Sequence, residues 1–116
     1  MPKEDFYTSP SGNRPVIDFI DKDCSAEVQA KIIAGIKDIE EYGTQLLYIK
    51  PGLIKPLGDK LFELKIYGES KWYRIIHAYT GNNVVVFLHA VIKKRNNLDP
   101  DDIKEAKKRL NRYSGK

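Results

Sequence analysis

The sequence has one cysteine, Cys24, in 116 residues, so no internal disulfide can form. It has two histidines and no Cys/His cluster, which excludes a structural zinc site. No apolar run approaches the roughly 20 residues that a membrane span needs. The opening segment, Met1 to Tyr7, is too polar for a secretory leader. A Gly-rich phosphate loop, a dinucleotide fingerprint and a hydrolase elbow are all missing. There are no internal repeats and no low-complexity stretches. These absences leave one domain, residues 1–116, expected in a reducing cytoplasm without cofactor, metal or membrane partner. A chain of this length buries roughly two thirds of its unfolded surface, enough for a core without covalent staples.

Positive charge is present, and it is unevenly placed. Residues 1–43 carry 5 Lys/Arg against 9 Asp/Glu, and residues 44–116 carry 15 against 7. An acidic first part and a basic second part suggest a working surface for phosphate in the second. Solvation of a small, surface-rich domain explains the same excess.

Periodicity orders the elements. Glu4 to Thr8 reads as a first strand. Asn13 suits a helix N-cap ahead of Val16, Ile17, Phe19 and Ile20, with Pro15 in the first turn. Ser25 caps a second helix in which Val28, Ile32, Ile36 and Ile39 share a face, ending at Tyr42-Gly43. Residues 44–59, with Pro51, Gly52, Pro56 and Gly58, read as a connecting loop. Three alternating strands follow, around Phe62–Ile66, Tyr73–Tyr79 and Val84–Ala90, separated by turn signals at 68–71 and at Gly81-Asn82. Asp99 caps a last helix with Pro100 in its first turn, and Ile103, Ala106, Leu110 and Tyr113 form its stripe. The class is α+β: an antiparallel sheet with the N-terminal helices on one face and a C-terminal helix.

Register gathers the charges. A four-residue loop at 68–71 puts Tyr67 opposite Trp72 and Lys65 opposite Arg74. A two-residue turn at Gly81-Asn82 puts Arg74 opposite His89. Lys65, Arg74 and His89 then form one row whose neighbours start about 5 Å apart, close enough to share a phosphate. Phe62, Leu64, Ile66, Tyr73, Ile75, Tyr79, Val84, Val86 and Leu88 fall on the other face, under the helices, and the Lys/Arg/His face stays open. Lys93, Lys94 and Arg95 follow at its edge. Other roles suit the same residues: an ordinary cross-strand ion pair from Glu63 to Arg74 or a lysine, a packing role for His89, a solvated loop for 93–95. His77, in the apolar set, reads as a core histidine. Trp72 and Tyr67 could stack on bases or cover the sheet edge.

Lys55-Pro56-Leu57-Gly58, Leu61-Phe62-Glu63-Leu64-Lys65, Trp72-Tyr73-Arg74-Ile75-Ile76, Val86-Phe87-Leu88-His89 and Val91-Ile92-Lys93-Lys94, then Pro100, Ile103 and Ala106, occur in this order. Together they resemble the HigB branch of RelE-type toxins, over nearly the whole chain. The resemblance implies a microbial ribonuclease-like α+β fold and an endonuclease of messenger RNA, usually ribosome-bound. It also implies a cognate antitoxin, often a small helix-turn-helix protein. The arginine of the family's E-L-R strand is Lys65 here, which keeps the charge but loses the two-pronged donor. Tyr113 is a distant candidate for the catalytic tyrosine of some relatives.

RNA can be cut without metal because its own 2′-OH can attack the adjacent phosphate, given a base, an acid and cations for the anionic transition state. Arg74, Lys94, Lys93 and Lys65 suit the cationic task, and His89 suits acid–base work. Glu63 or a lysine with a depressed pKa are rival bases. Lys55, Lys60, Trp72 and Arg95 are the expected RNA contacts. A noncatalytic module that binds nucleic acid or antitoxin through the same face is the alternative.

Overall fold

Ser25 opens the longest helix. Its hydroxyl accepts the Val28 N–H at 3.3 Å, and α2 (Ala26–Tyr42) runs on until Gly43, at φ 57°, turns the chain and donates to Ile39 O. Val28, Ile32, Ile36 and Ile39 are buried along its inner face, as their spacing predicts. Gly35 shares that face. A Cβ there would stand 2.9 Å from the Leu64 Cδ1 methyl, so the absence of a side chain lets α2 lie close on the sheet. α1 (Pro15–Asp23) begins one residue later than expected. Arg14 occupies the cap position, and the Asn13 N–H is held by the Ser9 hydroxyl instead. α4 (Pro100–Ser114) starts as expected, with Asp99 and Asp102 each accepting the other's backbone N–H.

A computed structural model describes residues 2–93 and 98–115. The sheet has five strands in the order β1-β5-β4-β3-β2: β1 (Lys3–Phe6), β2 (Ile54–Gly58), β3 (Leu61–Gly68), β4 (Lys71–Thr80) and β5 (Val84–Lys93). Two expectations need correction. The sheet is mixed, because β1 pairs with β5 in parallel. The stretch read as loop holds a short helix, α3 (Leu46–Ile49), and the edge strand β2. β2 hides from a sequence reading because Pro56 and two glycines surround it, and only edge strands tolerate that proline. The turn to β3 uses Asp59 and Lys60 at φ 51° and 70°, without the usual glycine signal.

The β4–β5 hairpin departs from expectation in an instructive way. Its loop has three residues, Gly81 to Asn83, so Thr80 pairs with Val84, with Asn83 at φ 59°. That one-residue difference turns Val86 and Leu88 toward the opposite face from the one expected, and Val85 and Phe87 take their places. A bulge at Leu88 then shifts the register again, from His77↔Phe87 to Ile76↔His89. After two shifts His89 lies on the Arg74 face, but Arg74 pairs with Val91. The expected Lys65–Arg74–His89 row therefore does not form. His89 is displaced by two residues, about 7 Å along the strand.

The bulge allows β5 to serve two cores. One, between the sheet and α1–α2, contains Leu64, Ile75 and Phe87 with the inner faces of both helices. The other, between the sheet and α4, contains Leu61, Ile76, Ala78, Val86, Leu88 and Ala106. The face expected to be open is thus half covered by α4. Among the described residues no helix is long and apolar enough to cross a membrane.

His77 is buried beside the first core, as its place in the apolar set suggested. Its ring lies among Phe62, Tyr79 and Phe87 at centroid distances of 6.1, 6.0 and 5.3 Å. Burial pushes its pKa down to about 4, although Nδ1 lies 3.3 Å from Ile75 O. Because the folded value is the lower one, the neutral ring stabilises the fold fully above the unfolded pKa of about 6.5, and stability falls as pH drops from there toward 4. We expect a loss of about 3 kcal/mol across that window. Urea titrations at pH 7 and pH 4.5 on wild type and His77→Phe will measure it, and the variant's curve is expected to be flatter.

Candidate functional site

Beyond the edge of α4, the sheet face carries two cross-strand rows. Lys65 pairs with Arg74 and Val91, and Tyr67 pairs with Trp72 and Lys93. Cross-strand partners share a face, so the turn at Glu69-Ser70 and the strong alternation of β3 and β4 are enough to assemble them. That turn has two residues instead of four, but the register is the expected one. Trp72 forms the roof. Its ring lies 5.2 Å from Lys65 Nζ and 5.6 Å from Arg74 Cζ, and the Tyr67 ring meets it edge-on at 5.0 Å. Both cations sit where an indole face attracts positive charge.

Arg74 is not an exposed cation. Its side chain is 0% exposed, and Nη1 donates to Glu63 Oε1 at 2.7 Å, with Glu63 itself 1% exposed. The sequence suggested such a pair as an ordinary surface feature, but it lies out of water, with the Trp72 ring over the guanidinium. A guanidinium without solvent requires a carboxylate beside it. Glu63 Oε2 is buried and has no hydrogen-bond partner among the described residues. Lys65 is half-buried and makes no ion pair with any described residue.

Of the other expected catalytic groups, His89 and Lys93 are bound to α4 and its cap residue. His89 Nε2 is 2.9 Å from Asp102 Oδ1, and its Nδ1 is 3.4 Å from Arg109 Nη1. Arginine can only donate, so Nδ1 accepts and the ring proton sits on Nε2, facing Asp102. Arg109 is fixed in turn by Leu88 O at 2.7 Å and Glu105 Oε2 at 2.9 Å. Lys93 Nζ contacts Asp99 at 2.5 Å and Asp102 at 3.3 Å, and the hydrogen bond to Asp99 holds its ammonium pKa above the usual value. Burial pushes the Asp102 carboxyl up, but hydrogen bonds from His89 and Lys93 outweigh it and the net shift is downward. Asp102 and Arg109 were not anticipated. Their only signal is helical spacing on the inner side of α4.

Of the expected RNA contacts, Trp72 is the roof over both cations. Lys55 is exposed on β2 in the row of Glu63, and Lys60 is exposed in the β2–β3 turn. Lys94 and Arg95 lie outside the described residues. Among the described residues no group of three His, Cys, Asp or Glu side chains could hold a metal ion.

Arg74 therefore carries structural weight whatever its chemistry. Removing one partner from a buried pair typically costs about 3–5 kcal/mol, and replacing both with apolar residues of similar volume costs far less. We expect Arg74→Ala and Glu63→Gln each to destabilise on that scale and Glu63→Met/Arg74→Met to recover most of the loss. Denaturant melts of the four proteins will show whether it does.

A family model described as phage-derived protein Gp49-like (DUF891) matches residues 19–111. A search of curated proteins finds no match.

Proposed function

Since this chain belongs to the Gp49-like family of phage-derived proteins, we propose that it is the toxin of a toxin–antitoxin pair. In this reading it cuts messenger RNA in the cytoplasm by using the RNA's own 2′-OH, on the ribosome, and a small helix-turn-helix antitoxin restrains it, as in the HigB and RelE toxins that its sequence resembles. One observation carries the reading: Lys65 and Arg74 face each other across adjacent strands under a single indole ring, and among the described residues Glu63 pairs with Arg74 while no carboxylate pairs with Lys65. Like charges directly opposite one another destabilise a sheet. A surplus cation held there suits a phosphate that would complete the balance.

The chemistry divides among these groups. Trp72 and Tyr67 offer ring faces on which a splayed base can stack, which would orient the ribose next to it. The Lys65 ammonium donates to a nonbridging phosphate oxygen and gains strength as charge accumulates in the transition state. Arg74, pinned by Glu63, contributes a fixed positive field without rearranging. Lys93 extends the cationic edge, and Lys94 follows it in the sequence. The 2′-oxygen bonds to phosphorus as the P–O5′ bond breaks, so a base takes the 2′-OH proton and its conjugate acid or water protonates the departing 5′-oxygen. Glu63 Oε2 is the acceptor nearest these cations by register, and His89 could act only after leaving Asp102 or Arg109.

That engagement of both His89 nitrogens favours a second reading, a noncatalytic module that holds RNA or antitoxin on the same face. Lys65 separates the two cleanly because, unlike Arg74, it belongs to no buried pair. Lysine-to-alanine loss of one such donor should slow cleavage about 100-fold or more. Lys65→Arg should match or exceed wild type, since the guanidinium fork grips two oxygens. The assay maps 5′ ends of a defined message in a translating extract and, separately, without ribosomes. Cleavage unaffected by Lys65→Ala removes this face from the mechanism, and binding without cleavage by wild type establishes the module.

A further inference from the structure

α4 presents a second charged surface, distinct from the face beneath Trp72. Its three acids are used inward or at its start: Asp102 holds His89 and Lys93, Glu105 holds Arg109, and Asp101 lies in the first turn. From Ala106 to Lys116 the sequence has five Lys or Arg and no Asp or Glu. Lys104, Lys108 and Arg112 recur every four residues and are exposed; none of them makes an ion pair with a described residue, and Arg112 also donates to the Tyr7 hydroxyl at 3.4 Å. Four residues of helix rise about 6 Å, a step comparable with that between successive phosphates of one strand. The Lys107–Asp59 ion pair brings the β2–β3 turn against this helix and places the exposed Lys60 on its flank. The opposite side of the molecule, on α1 and α2, exposes Asp21, Asp23, Glu27 and Glu41.

Helix polarity accounts for part of this. Cations in a last turn are favoured by the helix dipole, but that effect fades within one turn and reaches Arg112 alone. It leaves Lys104, Lys108 and the hairpin lysine unexplained. We propose that the outer side of α4, with Lys60 beside it, is a docking surface for the phosphate backbone of double-helical RNA. It would hold a structured RNA while the neighbouring sheet face engages a single strand. The choice of RNA over DNA rests on the reading of that face given above. The charge asymmetry of the molecule would turn α4 toward such a polyanion during approach.

The test is equilibrium binding of a fluorescent RNA hairpin and of a DNA hairpin of the same sequence, from 50 to 200 mM KCl. The proteins are wild type, Lys104→Gln/Lys108→Gln/Arg112→Gln, and a control that removes equal charge from the acidic side, Lys3→Gln/Lys22→Gln/Lys37→Gln. We expect the α4 variant to bind the RNA hairpin at least about tenfold more weakly at 50 mM, with a log–log salt slope shallower by about 2 to 3, and the control to stay near wild type. Lys104→Arg/Lys108→Arg should retain binding, which excludes misfolding as the cause. Unchanged affinity and slope in the α4 variant would overturn the proposal. So would an equal loss in the control, tighter binding of the DNA hairpin, or a loss confined to an acidic polypeptide such as polyglutamate. Cleavage of a defined message in a translating extract is measured alongside. If wild type fails to cleave but the hairpin result holds, the catalytic reading falls and the docking surface stands.

Discussion

The Glu63–Arg74 ion pair constrains everything around it. An arginine cannot shed its charge, so once it is shut away from water beneath Trp72, a carboxylate must lie within hydrogen-bond reach. Meeting that demand fixes the diagonal between β3 and β4 and ties their register to electrostatics as well as to side-chain alternation. It also gives Trp72 a cationic floor and sets Lys65 beside a guanidinium whose charge is already largely compensated. The exposed chemistry of the face therefore falls to Lys65 and the rings, with Arg74 as the foundation.

Much of this arrangement is legible in the sequence. Strand alternation from Phe62 to Tyr79 yields the Lys65↔Arg74 and Tyr67↔Trp72 pairs because a hairpin turn of two or four residues leaves the pairing unchanged. Ser25 and Asp99 announce their helices through capping chemistry that acts locally. What eludes a linear reading depends on long-range contacts. Nothing near Val84 shows that β1 will pair beside it in parallel, or that α4 will cover Val86 and Leu88. With apolar residues on both faces, β5 loses the alternation that would have revealed the flip. The burial of Arg74 is equally invisible, since alternation assigns its face and not what covers it, and the anchoring of His89 requires two residues of α4.

α4 joins two functions of the fold. Its inner side uses Asp102 and Arg109 to hold His89 and Lys93, and Ala106 lies against the second core. Because Asp102 and Glu105 are occupied there, the outer side beyond the first turn carries cations and no carboxylate. A helix recruited to cover a sheet thus acquires a charged exterior as a consequence of how its interior is wired, and the basic character of the chain's second part concentrates on one side of the molecule.

The loop and bulge of β5 act like a frameshift and its suppressor. Each displaces the strand by one residue, and only their combination returns Ala90 and Ile92 to the first core after Val86 and Leu88 have served the second. Losing the bulge alone would exchange inside for outside over the second half of the strand, and slipping the turn by one residue while keeping the bulge would exchange both halves. A slip of the pairing at the turn therefore has to be answered at the bulge if Ala90 and Ile92 are to keep their face, so the two irregularities are coupled through the strand that joins them.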